Sequence, residues 1–193
     1  YYYVPHIVTL TDDEAEQYLA LSKAIGRLLN EGGDTVTNFD LQSDDQLQRL
    51  LFKRARLIGT AENKLDTLRS LLARTGVETL HHTLVYCGDG SVPTEGEGEE
   101  VKRQLRAITE LLGTDLGIRA HQFTYEECQS TRERLLADFE TGNLQALVAI
   151  RCLDEGVDVP ATQTAFMLAS STNPRQFVQR RGRILRPHED KEY

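Results

Sequence analysis

The segment Leu144-Gln145-Ala146-Leu147-Val148-Ala149-Ile150 constrains the fold more than any other part of the chain. Apart from Gln145 it is continuously apolar, and it is too short for a typical helix. A strand buried on both faces reads this way, and such strands belong to parallel sheets covered by helices on both sides. The surrounding sequence follows the same grammar. Thr83-Leu84-Val85-Tyr86-Cys87 predicts a short buried strand, and a Gly/Glu-rich loop follows it. A helix is then expected at about 99–112, a strand near Arg119–Thr124, and a helix at about 126–141 with Leu135, Leu136 and Phe139 on one face. Beyond the central strand come another at Thr164–Ala169 and a helix at about 173–186. Strands and helices alternating at this spacing imply βαβ units. The expected fold class is therefore α/β, a parallel sheet flanked by helices.

Ahead of this region lies a segment of different rhythm, and the chain divides into 1–77, a helical lead-in packed on the domain, and 78–193, the sheet-bearing domain. Residues 4–10 alternate loosely and predict a short strand. Thr11 and Glu14 have the spacing of a capping box, in which each side chain bonds the other residue's backbone N–H. The apolar positions Ala15, Leu19 and Ile25 then mark a helix that Asn30-Glu31-Gly32-Gly33-Asp34 ends. Further helices are expected at about 44–57 and 61–74. The first of these carries Lys53, Arg54 and Arg56, read as a solvated face, with contact to a nucleic-acid backbone as the alternative.

Composition narrows the class by exclusion. With a formal net charge of −8, the chain is not a simple basic nucleic-acid coat protein. No apolar run approaches the roughly 20 residues of a membrane helix, so no membrane partner is expected. The N-terminus lacks the basic and apolar segments of a signal peptide, and a cytoplasmic location is expected (nucleoid-associated in a bacterium). It also lacks an initiator Met, which is read as the mark of a piece of a longer protein. Cys87, Cys128 and Cys152 have no metal-ligand spacing and are expected to fill core space. His81 and His82 likewise have no ligating partner nearby, and a surface or strand-leading role is expected. No metal site is anticipated.

Charge is distributed unevenly, and the distribution is informative. Arg175, Arg180, Arg181, Arg183 and Arg186 crowd one stretch with no acid between them. On a helix, Gln179, Arg183 and Arg186 share a stripe by the i, i+4, i+7 rule, while Phe177, Ile184 and Leu185 form an apolar side. Packed guanidiniums repel unless an anion sits among them, and phosphate suits arginine well. Gly182 inside such a helix costs on the order of 1 kcal/mol relative to Ala, which predicts a close approach there. A solvated basic helix face is the plain alternative for these residues taken alone.

Gln179–Arg186 matches the QxxGRxxR pattern of motif VI in superfamily 2 helicases. Asp154-Glu155-Gly156-Val157-Asp158-Val159-Pro160 resembles motif V, directly after its strand, and Thr83–Cys87 resembles the strand of motif IV. The three stand in the family's order, and the resemblance spans about residues 80–190. More weakly, residues 1–75 are similar to the connector before the second domain in helicases of the XPB, restriction-enzyme and Snf2-like groups. The resemblance implies a RecA-like C-terminal motor domain. Arg183 and Arg186 then resemble the arginines that contact the γ-phosphate, with Arg186 favoured as the finger, and Gln179 resembles the residue linking that helix to the nucleotide. Gly156 and Asp158 look like the motif V residues that approach the nucleotide, Asp158 near the ribose. Glu155 and Arg151 depart from the DEAD-box pattern, which usually has Arg and often has Asp at these places.

ATP and Mg2+ are the implied cofactors. No G-x-x-x-x-G-K-[S/T] loop occurs, however, and Asp12-Asp13-Glu14 after Ile7–Thr11 is better read as a helix start than as a magnesium-binding box. The implied phosphate loop and Mg2+ ligands belong to a preceding RecA-like domain, and this chain alone is expected to be inactive. Nucleic acid is the implied partner, DNA in preference to RNA because the DEGVDVP form looks closer to DNA-repair and restriction helicases. A non-catalytic RecA-like scaffold and a plain nucleic-acid-binding module are the competing readings.

Overall fold

A computed structural model describes residues 2–31, 45–87, 99–124, 126–150, 159, 161–168 and 182. The lead-in begins with α1 (Asp12–Glu31) and α2 (Asp45–Gly59), which pack against one another. The capping box forms as the sequence predicts: the Thr11 amide donates to Glu14 Oε2 at 2.9 Å, and the Glu14 amide to Thr11 Oγ1 at 3.4 Å. The strand expected at 4–10 does not form. Residues 2–10 carry no regular structure, with Val4 65% and Ile7 96% exposed. An alternating pattern makes a strand only where a sheet edge receives it, and no described strand pairs with this segment.

α3 (Asn63–Thr75) follows, closed by Gly76, whose φ of 85° suits the position after a helix end and whose amide donates to the Leu72 carbonyl at 3.2 Å. A single helical turn, Val77–Thr79, leads to β1 (Thr83–Tyr86). Then come α4 (Glu99–Glu110), β2 (Ala120–Phe123), α5 (Gln129–Glu140), β3 (Ala146–Ala149) and β4 (Thr164–Met167). Between α4 and β2 the chain widens into a π-helical turn, Leu111–Asp115, in which the Leu116 amide reaches the Leu111 carbonyl at 3.1 Å. That extra residue per turn lets both Leu111 and Leu112 face the core, at 2% and 0% exposure. The helix expected at about 173–186 lies outside the described residues except for Gly182, which is helical.

The sheet has the order β2-β3-β1-β4, and every pairing is parallel. β1 is central, with Thr83 opposite both Ala146 and Thr164. One face is covered by α3 and α4, where Leu68, Leu72, Leu105 and Ile108 pack on Val85 and Val148. The opposite face is covered by α5, where Leu135 and Phe139 pack on Leu84, Tyr86, Phe123 and Leu147. All four residues of β1 and of β3 are buried, as continuously apolar strands require. Each such Leu or Phe side chain contributes roughly 1.5–3 kcal/mol when withdrawn from water. The arrangement is thus a parallel sheet between two helical layers, with helices at its N-terminus.

Polar groups knit the amino ends of the strands. Buried Gln145 donates from Nε2 to the Leu80 carbonyl at 3.2 Å and accepts the Arg119 amide on Oε1 at 3.2 Å. His82 sits just before β1 at φ 46°, and its carbonyl accepts the Gln163 amide at 2.9 Å. Its ring stands edge-on to Phe139 with centroids 5.5 Å apart, so His82 leads the chain into the strand as expected and also caps the core.

Candidate functional site

Parallel sheets bind ligands beyond the carboxyl ends of their strands, where neighbouring strands send their connections in opposite directions. Here β1 and β3 are such neighbours: β1 continues to β2 at one edge, and β3 continues to β4 at the other. The segment holding Gly156 and Asp158 follows β3, and the segment holding Gln179, Arg183 and Arg186 follows β4. Those five residues lie outside the described ones, as does Cys152. What the structure fixes is the point of departure of each segment, and both leave from the carboxyl edge of one sheet. A Cβ built at Gly182 meets nothing within 4 Å among the described residues, so the close approach expected there is not one that they make.

Beside the same edge a cleft of about 1150 Å³ lies between α1, α2 and α4. Glu14 and Gln17 of α1, Lys53 and Arg56 of α2, and Arg103 and Gln104 of α4 give it its polar lining, and Leu168 closes it at the end of β4. The basic trio of α2 is therefore not one solvated face. Lys53 is exposed, whereas Arg54 and Arg56 are half-buried. Arg54 donates to Ser22 Oγ at 3.4 Å and lies over the Tyr18 ring, 5.8 Å from its centroid. The correction has a packing cause, since α1 supplies both an aromatic face and a hydroxyl where open solvent was expected.

Sequence reasoning missed Lys64. Its ammonium donates to the Gly59 carbonyl at 3.3 Å and to the Leu168 carbonyl, joining the end of α2 to the end of β4. Burial holds its pKa at about 8 against the ordinary 10.5, and the Glu14 carboxylate offsets part of that depression. A signal was present. The first turn of a helix disfavours a cation, because the backbone N–H groups already place positive charge there. Lys64 stands in the first turn of α3 all the same, and it needs another reason for being there.

The cysteines divide by environment. Cys87 is buried, and burial pushes its thiol pKa up. Cys128 is exposed at the start of α5, so the expectation that all three cysteines fill core space is wrong for this one. Hydrogen bonds with Ser130 and Thr131, whose hydroxyls lie 3.3 and 3.2 Å from Sγ, lower its pKa to about 7. Among the described residues no group of three or more His, Cys, Asp or Glu side chains is arranged to hold a metal. No helix among them is long and apolar enough to cross a membrane.

A parallel sheet of this order, covered on both faces and preceded by helices, is the RecA-like fold of helicase C-terminal domains. It is shared with the C-terminal part of the Fun30 ATPase domain, with a TM-score of 0.63 at 13% identity over 97% of this chain and 80% of that one. The Sulfolobus solfataricus SWI2/SNF2 ATPase C-terminal domain has the same fold, with a TM-score of 0.60 at 8% identity over 83% and 68%. Residues 63–188 match the helicase conserved C-terminal domain, and the chain belongs to that family, as a C-terminal RecA-like domain of the superfamily 2 helicase type. It is also similar to the DNA 3'-5' translocase XPB2 of Sulfurisphaera tokodaii, 29% identical over 196 residues. The alignment covers 96% of this chain and 40% of that relative, so the chain spans less than half its length. The family match begins with α3, whose Leu68 and Leu72 pack directly on the sheet.

Proposed function

We propose that this chain is the second motor domain of an ATP-dependent DNA translocase or helicase. Motif V residues Gly156 and Asp158, together with motif VI residues Gln179, Arg183 and Arg186, form its side of a nucleotide site shared with a preceding RecA-like domain. The observation that carries the reading is topological: both segments leave the carboxyl edge of a parallel sheet in a chain of the helicase C-terminal family. In this reading Arg183 and Arg186 neutralise charge that builds on phosphoryl oxygens in the transition state. Gln179 holds the arginine helix to the nucleotide, Asp158 approaches the ribose, and Gly156 lets the backbone come close. ATP with Mg2+ supplies the phosphoryl group to be transferred, and the phosphate loop and Mg2+ ligands belong to the preceding domain.

DNA is favoured over RNA by the DEGVDVP form of motif V and by the likeness to a relative named for DNA translocation. Contacts from this domain go mainly to the phosphate backbone, which gives affinity without sequence reading. The test is Arg186→Ala in the full-length protein. Nucleic-acid-stimulated ATP turnover is expected to fall by roughly 10³-fold or more, with DNA stimulating the unmutated protein more than RNA. An unchanged rate replaces the motor reading with that of a non-catalytic scaffold.

A further inference from the structure

The carbonyl of Leu168 is the last backbone acceptor described at the end of β4. Its own amide still belongs to the sheet, donating to the Tyr86 carbonyl at 3.0 Å, whereas its oxygen is taken by the Lys64 ammonium. The same ammonium takes the Gly59 carbonyl, which also accepts Gln104 Nε2 of α4 at 3.1 Å. Two residues before Lys64 the Glu62 amide donates to Glu14 Oε1 at 2.9 Å, and one residue before it Asn63 Nδ2 donates to the Thr9 carbonyl at 2.8 Å. The turn between α2 and α3 thus gathers the start of α1, the end of α2, the body of α4 and the end of β4 around one cation.

We propose that Lys64 is a positioning residue: its ammonium fixes the end of β4, and with it the point from which the chain runs on to Gln179, Arg183 and Arg186, to the helical lead-in. An ammonium carries three donors on a flexible stem, so it bridges two carbonyls that a neutral chain of the same length leaves unpaired. Both carbonyls lie where the lead-in meets the domain, so a shift of α1 and α2 is passed to the strand end through this bridge. The half-buried setting matters too, because a hydrogen bond to a charged donor is stronger where water competes less. The geometry is independent of the motor reading, but the consequence for turnover rests on it.

The experiment compares Lys64→Met, Lys64→Arg and Arg186→Ala in the full-length protein. It uses amide hydrogen exchange resolved by peptide together with steady-state ATP hydrolysis. In K64M, peptides covering 165–186 are expected to exchange several-fold faster while those of α3 stay as in the unmutated protein. The kcat should fall on the order of ten- to a hundredfold, as misplacement at a distance can cause, with KM for ATP little changed. K64R, which keeps a cation and its donors, is expected to recover most of the protection. R186A is expected to lose turnover with exchange unaltered. Unchanged exchange at 165–186 in K64M overturns the clamp even if R186A is inactive. If R186A keeps its turnover, the motor reading falls and the exchange result alone still decides the clamp. Should K64M fail to fold, K64Q lacks both the charge and the reach and gives the same comparison.

Discussion

Gln145 and Leu80 are joined across the amino end of the sheet by a 3.2 Å hydrogen bond from side-chain amide to backbone carbonyl, with both residues buried. The other end of the same amide accepts the Arg119 amide. Gln145→Leu removes both partners at once while keeping the volume. Two backbone groups then lose their bonds, at about 1–3 kcal/mol for each one left buried and unsatisfied. A lowered urea midpoint with an unchanged denaturant slope is the expected result; a midpoint equal to that of the unmutated chain contradicts it.

Lys64 makes stability depend on pH in a window that its pKa sets. With a folded value of about 8 and an ordinary value of 10.5, the unfolded chain keeps a proton in that interval which the folded chain has released. Stability contributed by this group therefore rises with pH from about 8 to 10.5, and the cost of burying the cation is fully present below that range. Thermal melts of the unmutated chain and of Lys64→Met should show their difference moving in favour of lysine across the window. A difference that stays flat from pH 7 to 10.5 refutes it.

Cys128 and Cys87 should separate in an alkylation series. With a pKa of about 7 and full exposure, Cys128 reacts through its thiolate near neutral pH, whereas the raised pKa and burial of Cys87 protect it. Peptide-resolved labelling with iodoacetamide is expected to reach half its limiting rate at Cys128 near pH 7 and to reach Cys87 only on unfolding. Replacing Ser130 and Thr131 by Ala should move the Cys128 midpoint upward. A midpoint that ignores both replacements rules out the hydroxyls as its cause.

The chain on its own is expected to bind nucleotide poorly and to hydrolyse none at a measurable rate, since a finger without a phosphate cradle has no substrate to act on. Dose-dependent ATP turnover by the purified chain, abolished by Arg186→Ala, runs against that expectation.

The sheet was legible because buried strands leave continuous apolar runs: Leu144–Ile150 and Thr83–Cys87 contain β3 and β1 to within a residue or two at each end. Helix α1 was legible at its start because a capping box is a local, two-residue signal, and the bonds between Thr11 and Glu14 are made as written. Residues 4–10 misled because alternation records a half-buried surface without saying whether a neighbouring strand exists. The partner that would have decided it is distant in sequence. The π-helical turn at Leu111–Asp115 was invisible for a related reason, since the need to bury two adjacent leucines comes from the packed sheet. At the site, the arginine stripe and the motif V segment were read from spacing and resemblance, and they lie outside the described residues. Lys64 escaped because its partners are backbone carbonyls, which no side-chain pattern records.

Because β1 sits between β3 and β4, its two neighbours in the sheet both come after it in the chain. During synthesis Leu84 and Val85 therefore leave the ribosome well before either partner exists. At ~5–20 residues per second, the roughly 60 residues that separate Tyr86 from Ala146 take about 3–12 s to make. For that interval a sticky, unpaired hydrophobic stretch is presented to solvent, with α3 the one described helix of its eventual layers already made. Helix α3, made just before the strand, is thus positioned in time as well as in space to shelter the strand on which the rest of the sheet is later laid.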